Sequence, residues 1–167
     1  MAKLYYTPLP TKKVRALQRG GLDAYGLIVE RQISDGSGIP CRHCLANIVN
    51  DDEYLILSYS PFTTRQPYAE QGPIFLHAKE CAPYKTTKIL PAMYKPAGIL
   101  LLRGYNEDER IVYGTGQIAK NKDIATIAAD IFRNPDVAFI HARSASNNCF
   151  QFKIEKGGNN LEITLSR

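Results

Sequence analysis

The chain reads as an α+β fold, a single globular domain over residues 1–167 built on a largely antiparallel β-sheet with a few helices. Three observations predict this. Short β-rich apolar runs outnumber helical patterns, and the segments between them are mostly short and polar, as hairpins require. One stretch, residues 122–134, places apolar residues at helical spacing. No internal repeat, low-complexity tract or long linker divides the sequence.

In chain order, "LPTKKVRALQRGG" (9–21) predicts a short helix with Thr11 as its N-cap and Gly20-Gly21 as its stop. "SDGSGIP" (34–40) is turn material, and Pro40 pushes Ile39 towards an extended conformation. "CLANIV" (44–49) suits either a short helix or a strand. "EYLILSY" (53–59) predicts a strand buried on both faces, and "PIFLHA" (73–78) a second one, with a polar loop between them. Residues 80–97 are proline-containing and aperiodic, so they read as loop. "GILLLRGY" (98–105) is the clearest strand, with "RIVYGTG" (110–116) returning as its hairpin partner. Residues 122–134 carry apolar positions at 124, 127, 128, 131 and 132, one stripe of a helix ended by Asn134-Pro135. "VAFIHA" (137–142) and "CFQFKIE" (149–155) predict strands around the loop "RSASNN", and "NLEITLS" (160–166) a closing strand.

Composition narrows the function classes. Hydrophobic residues make up 44% and charged residues 22%, ordinary for a soluble protein. The net charge of +5 is spread along the chain and forms no stripe, so nucleic-acid binding is not expected. The longest apolar run, around residues 99–102, is far too short to span a bilayer, and no membrane partner is expected. The start of the chain lacks the apolar core of a secretory signal, which points to the cytoplasm. There thiols stay reduced, so four cysteines suggest metal binding, catalysis or burial rather than disulfides.

The sulfur and imidazole groups fall into two sequence clusters, Cys41, His43 and Cys44, then His77 and Cys81, and a third strand end, His141 with Cys149. Cys41-x-x-Cys44 has the spacing of one half of a zinc site, and His77-x-x-x-Cys81 supplies a second pair, a Cys3His set in all. Small buried thiols and a redox dithiol are open alternatives, although no βαβ context supports the dithiol. At the third strand end, His141 and Cys149 flank a loop rich in Arg, Ser and Asn. That arrangement would suit a base and a nucleophile, or a plain turn. Arg42, Arg103 and Arg143 each fall at a strand or turn end, and Glu70 lies in a polar loop. Converging arginines would clamp a small anionic ligand by bidentate hydrogen bonds. The leading expectation is a small-ligand-binding protein or enzyme of unknown reaction. Its catalytic residues would be Cys41, His141 and Cys149, and its ligand clamp Arg42, Arg103 and Arg143. The alternative is a binding module stabilised by zinc at Cys41, Cys44, His77 and Cys81. No glycine-rich phosphate loop, HExxH or GxSxG motif is present.

The stretches "GIPCRHCL", "LILSYSPF", "QPYAEQGPIFLHAKEC", "LLRGYN", "IVYGTG" and "PDVAFIHARSASNNCFQFKIEK" resemble, in this order, a bacterial family catalogued as domain of unknown function 1203. The resemblance spans most of residues 36–156 and implies a small cytoplasmic protein, with no established activity. In many members of that family the Pro-Cys-Arg core is kept while the next two positions differ. It therefore implies that Cys41 and Arg42 belong to a shared site, and that His43 and Cys44 belong to a subset. His141 and Cys149 match the family's C-terminal motif, whereas Phe152 stands where a further cysteine can occur.

Overall fold

In the computed structural model, which describes residues 3–85 and 88–157, a five-stranded antiparallel sheet carries one helix and a three-stranded antiparallel sheet carries the other. The larger sheet runs β1-β10-β9-β7-β8, from Leu4–Thr7 (β1), Phe150–Lys156 (β10), Phe139–Ser144 (β9), Ile99–Tyr105 (β7) and Gln117–Lys120 (β8). The smaller runs β2-β5-β6, from Glu30–Ile33, Glu53–Tyr59 and Gly72–His77. A two-residue ladder, β3 (Ile39–Pro40) with β4 (Asn47–Ile48), frames the turn between them. The chain is thus α+β and dominated by antiparallel sheet. Among the described residues, no helix is long and apolar enough to cross a membrane.

Side chains alternate across a strand, and this decides what each face of the larger sheet carries. Leu100, Leu102, Ile140, Ala142, Phe152 and Ile154 face helix α2 (Ile124–Ile131), which contributes Ile124, Ala128 and Ile131 to the same core. The intervening residues Arg103, Tyr105, Phe139, His141 and Arg143 belong to the opposite face. Register places Arg103 beside His141 and Tyr105 beside Phe139. A bulge at Gln151 breaks the alternation in β10: Phe152 opposes Ala142, yet Phe150 opposes Arg143. Phe150 therefore joins the second core, which packs Leu55, Leu57, Ile74 and Leu76 of the smaller sheet against Val14 and Leu17 of helix α1 (Thr11–Gln18).

Several sequence expectations are corrected. Thr11 is the first helical residue and not the cap; Pro10 holds the N-cap position, and the Thr11 hydroxyl bonds His43 instead. Residues 110–116 do not return as a strand: they form one β-bridge with β7, Tyr105–Ile111, and hydrogen-bond Gly104 through Val112 and Thr115, while the pairing partner is β8. The second helix is shorter than the expected 122–134: residues 121–123 form a 3-10 turn before it, and it ends at Ile131 with Phe132 as its C-cap. In "CLANIV" only Asn47 and Ile48 are strand. Strands β1 and β2 are not among the strands expected from the sequence; all four residues of β2 are exposed, so no apolar alternation marks it. Strand 53–59 buries Tyr54, Leu55, Leu57 and Tyr59 and leaves Ile56 and Ser58 half-buried. The strand expected at 160–166 lies outside the described residues.

Candidate metal centre

The turn between β3 and β4 is built by its own backbone. Cys41 N–H donates to Ala46 O and Leu45 N–H to Cys41 O, with Leu45 in the left-handed region at φ 50°. Arg42 N–H then donates to Phe75 O, and Cys41 bridges Phe75 in parallel, so the turn is laid along β6 two residues before His77. Helix α1 fixes the other pair. Gln18 Nε2 donates to His77 O at 2.9 Å and Lys79 O at 2.8 Å, and Arg15 Nη2 donates to Cys81 O at 2.7 Å. Two short-range pairs, each already at ligand spacing, are thereby brought face to face.

The ligand atoms of Cys41, Cys44, His77 and Cys81 all lie within 4.8 Å of one another. Cys41 Sγ is 3.9 Å from Cys81 Sγ, and Cys44 Sγ is 3.5 Å from His77 Nδ1. A tetrahedron with zinc–sulfur bonds near 2.3 Å and zinc–nitrogen bonds near 2.05 Å has S–S edges of about 3.8 Å and S–N edges of about 3.5 Å. These two edges therefore already match, and the widest separation exceeds the ideal by only about 1 Å. Cys41 is fully buried, while Cys44, His77 and Cys81 are half-buried, so the cluster sits at the rim of the core with a route in.

Around the four lies a ring of donors. His77 N–H points at Cys41 Sγ (3.5 Å), and His43 Nδ1 lies 3.2 Å from Cys81 Sγ. His43 Nε2 is 2.9 Å from the Thr11 hydroxyl. Contact with the Cys44 and Cys81 thiols holds Cys41 far down into the thiolate range, against burial. Hydrogen bonds that the His77 ring donates to the Cys41 and Cys44 sulfurs push His77 up to about 10, and the same two neighbours push Cys81 up. Without a cation, four groups in contact must share protons; a divalent ion would take their place.

The region of His141 and Cys149 is arranged differently. His141 is buried in a cage of Phe62, Tyr105, Phe139 and Phe150, with ring centroids 4.6–5.2 Å away. Its Nδ1 has no hydrogen-bond partner among the described residues. Burial, then Arg143, Lys153 and Arg103, hold it well below the usual imidazole range. No hydrogen bond joins His141 to Cys149, whose thiol faces Asn147 O at 3.7 Å. Arg42 is buried and donates to Phe150 O and Pro40 O, bracing the metal turn against β10. Arg103 and Arg143 converge, on Glu70: Arg103 Nη1 is 2.8 Å from Oε1, and Arg143 Nη2 is 3.0 Å from Oε2. Of the expected arginine clamp, two members meet and Arg42 stands apart.

Sequence reasoning missed Thr11, Arg15 and Gln18, whose side chains position the metal set from 32 to 66 residues away. A helix with polar residues at 11, 15 and 18 was the available signal, since that spacing lines one face.

A family model described as a protein of unknown function, DUF1203, matches residues 38–156. No curated protein and no solved structure matches the chain. The matched span contains all four cysteines and all three histidines.

Proposed function

Because the chain belongs to the DUF1203 family, whose description names no activity, the function must come from the site, and we propose that Cys41, Cys44, His77 and Cys81 hold a structural zinc ion in a binding module. The observation that carries this reading is the pair of cross-distances, 3.9 Å between Cys41 and Cys81 sulfurs and 3.5 Å between Cys44 Sγ and His77 Nδ1. Three thiolates and an imidazole favour zinc over calcium or magnesium, which take oxygen ligands. Four protein ligands close the coordination shell, leaving no position for a water or substrate. Zinc here therefore stabilises and does not catalyse.

What it would hold together is visible in the ligand origins. Two ligands come from the turn after β3, one from the end of β6 and one from the loop beyond. Apparent binding energies of structural zinc in peptides are on the order of 10 kcal/mol. That is comparable with the whole stability of a domain, about 5–15 kcal/mol. A part of it is enough to fix a turn whose framing ladder has only two residues per strand.

Elemental analysis of the full chain, purified without a histidine tag, tests the proposal. One zinc per chain is expected, and Cys44→Ser should lose it. Fully folded protein purified free of metal, with an unchanged melting midpoint on adding zinc, would end it.

A further inference from the structure

A second site lies at the ion-pair cluster on the face of the larger sheet away from α2. Arg143 is buried, with a side chain only 4% exposed. A guanidinium carries five N–H donors. Among the described residues, only Nη1 finds a hydrogen-bond partner, Asn148 O at 3.1 Å. Nε and Nη2 are buried without a hydrogen-bond partner; the 3.0 Å approach of Glu70 Oε2 to Nη2 is an ion pair that lacks hydrogen-bond geometry. Nε and Nη2 together form one edge of the guanidinium fork, the edge that binds a carboxylate through two parallel hydrogen bonds. That edge is half used.

Beside it is a cavity of about 150 Å³, lined by Arg143, Glu70 and the Asn147–Cys149 turn, with Tyr59, Pro61 and Phe150 as its apolar wall. Charge selects the occupant. Arg103 and Arg143 face one carboxylate, Glu70, so the three groups carry one surplus positive charge. A monoanion balances it, whereas a dianion would leave a buried negative excess. Size selects further, because a cavity of this volume accepts a ligand about as large as benzene. Apolar walls favour a short hydrocarbon body over a bare inorganic anion.

We propose that this cavity binds a small monocarboxylate of about four to six non-hydrogen atoms, its carboxylate on the Nε–Nη2 edge of Arg143 and its hydrocarbon against Tyr59, Pro61 and Phe150. Glu70, a third exposed and on the loop before β6, competes for that edge. On binding it withdraws from Arg143 and keeps its 2.8 Å contact with Arg103. The site is independent of the zinc centre and stands without it.

Titration calorimetry of the full chain with sodium butyrate tests this, with chloride and phosphate at matched ionic strength as comparisons. Butyrate is expected to bind with a Kd of about 1 mM or tighter, as the size of so small a ligand allows. Two variants should move it in opposite directions. Glu70→Gln removes the competitor and should tighten binding by about threefold or more, while Arg143→Lys keeps the charge, loses the fork, and should weaken it by about tenfold or more. If Arg143→Lys does not fold, Cys149→Leu narrows the cavity and must weaken butyrate in a protein that still melts cooperatively. No butyrate binding up to about 20 mM, equal binding of chloride or phosphate, or affinities unmoved by these variants would overturn the proposal.

Discussion

His43 Nδ1 lies 3.2 Å from the sulfur of Cys81, yet His43 is not one of the four residues that could hold the ion. Its other nitrogen meets the Thr11 hydroxyl at 2.9 Å. If Thr11 donates to Nε2, the proton must sit on Nδ1 and point at the sulfur, so one hydroxyl fixes the tautomer that stabilises a Cys81 thiolate. Thr11→Val keeps the shape and removes the hydroxyl. It is expected to weaken zinc by about 10- to 100-fold, measured by competition with a chromophoric chelator. An unchanged affinity would show that the Thr11–His43 contact only packs.

Metal removal should loosen the molecule locally. The ligands come from the turn at 41–44 and the end of β6, and α1 is tied to the same segments through Arg15 and Gln18. The larger sheet has its own core with α2. Hydrogen exchange after chelation should therefore accelerate over residues 9–20, 39–48 and 76–84 and leave β7, β9 and β10 protected. Uniform acceleration over both sheets would contradict this.

Thiol labelling should follow the same division. Cys149 is half-buried and outside the cluster, so iodoacetamide should reach it first in zinc-loaded protein. Cys44 and Cys81, half-buried, should become reactive after chelation, with fully buried Cys41 last. Time-resolved peptide mapping gives the order. Early labelling of Cys44 before chelation would argue against a bound metal.

His141 makes stability depend on pH. Burial holds its folded pKa well below the unfolded value of about 6.5, so the unfolded chain takes up the proton first. The stability tied to this group is full above about pH 6.5. It falls as the pH drops from there towards the lower folded value, by at most about 1.4 kcal/mol per pH unit. His141→Phe fits the aromatic cage and removes the unpartnered Nδ1. Urea denaturation between pH 5 and 7.5 should show a flatter profile for the variant than for the wild type. Parallel profiles would mean that His141 is protonated in the folded protein too.

Gly104 tests the packing between β7 and the end of α2. A Cβ there would meet Thr115 Oγ1 at 3.0 Å, Val137 Cγ2 at 3.0 Å and Ile131 Cγ2 at 3.2 Å. The Thr115 hydroxyl also accepts the Gly104 N–H, so it cannot simply turn away. Gly104→Ala is expected to cost about 1–3 kcal/mol in chemical denaturation, the usual range for overpacking. A neutral result would show that Val137 and Ile131 yield freely.

Whatever rests on neighbours in sequence was legible before folding. The strands at 53–59, 73–78 and 98–105 announced themselves by β-rich apolar runs, and Cys41-x-x-Cys44 and His77-x-x-x-Cys81 by ligand spacing. What depends on partners far along the chain was not. The exposed strand β2 pairs with β5 through backbone alone, and backbone hydrogen bonds leave no mark on side-chain pattern.

The sequence by itself determined the antiparallel α+β class and the two halves of the Cys3His set, since alternation, turn chemistry and short ligand spacings act over a few residues. Only the tertiary structure decided what those residues face. Laying the Cys41 turn along β6 brings its thiols to His77 and Cys81. The strand period puts His141 and Arg143 on the face opposite α2, and the bulge at Gln151 turns Phe150 to that side, so His141 enters an aromatic cage and does not meet Cys149. Arg42 finds carbonyls, and Arg103 and Arg143 find Glu70. A buried charge must take whichever partner the packing delivers, and delivery is a property of register and crossing strands that no local spacing encodes.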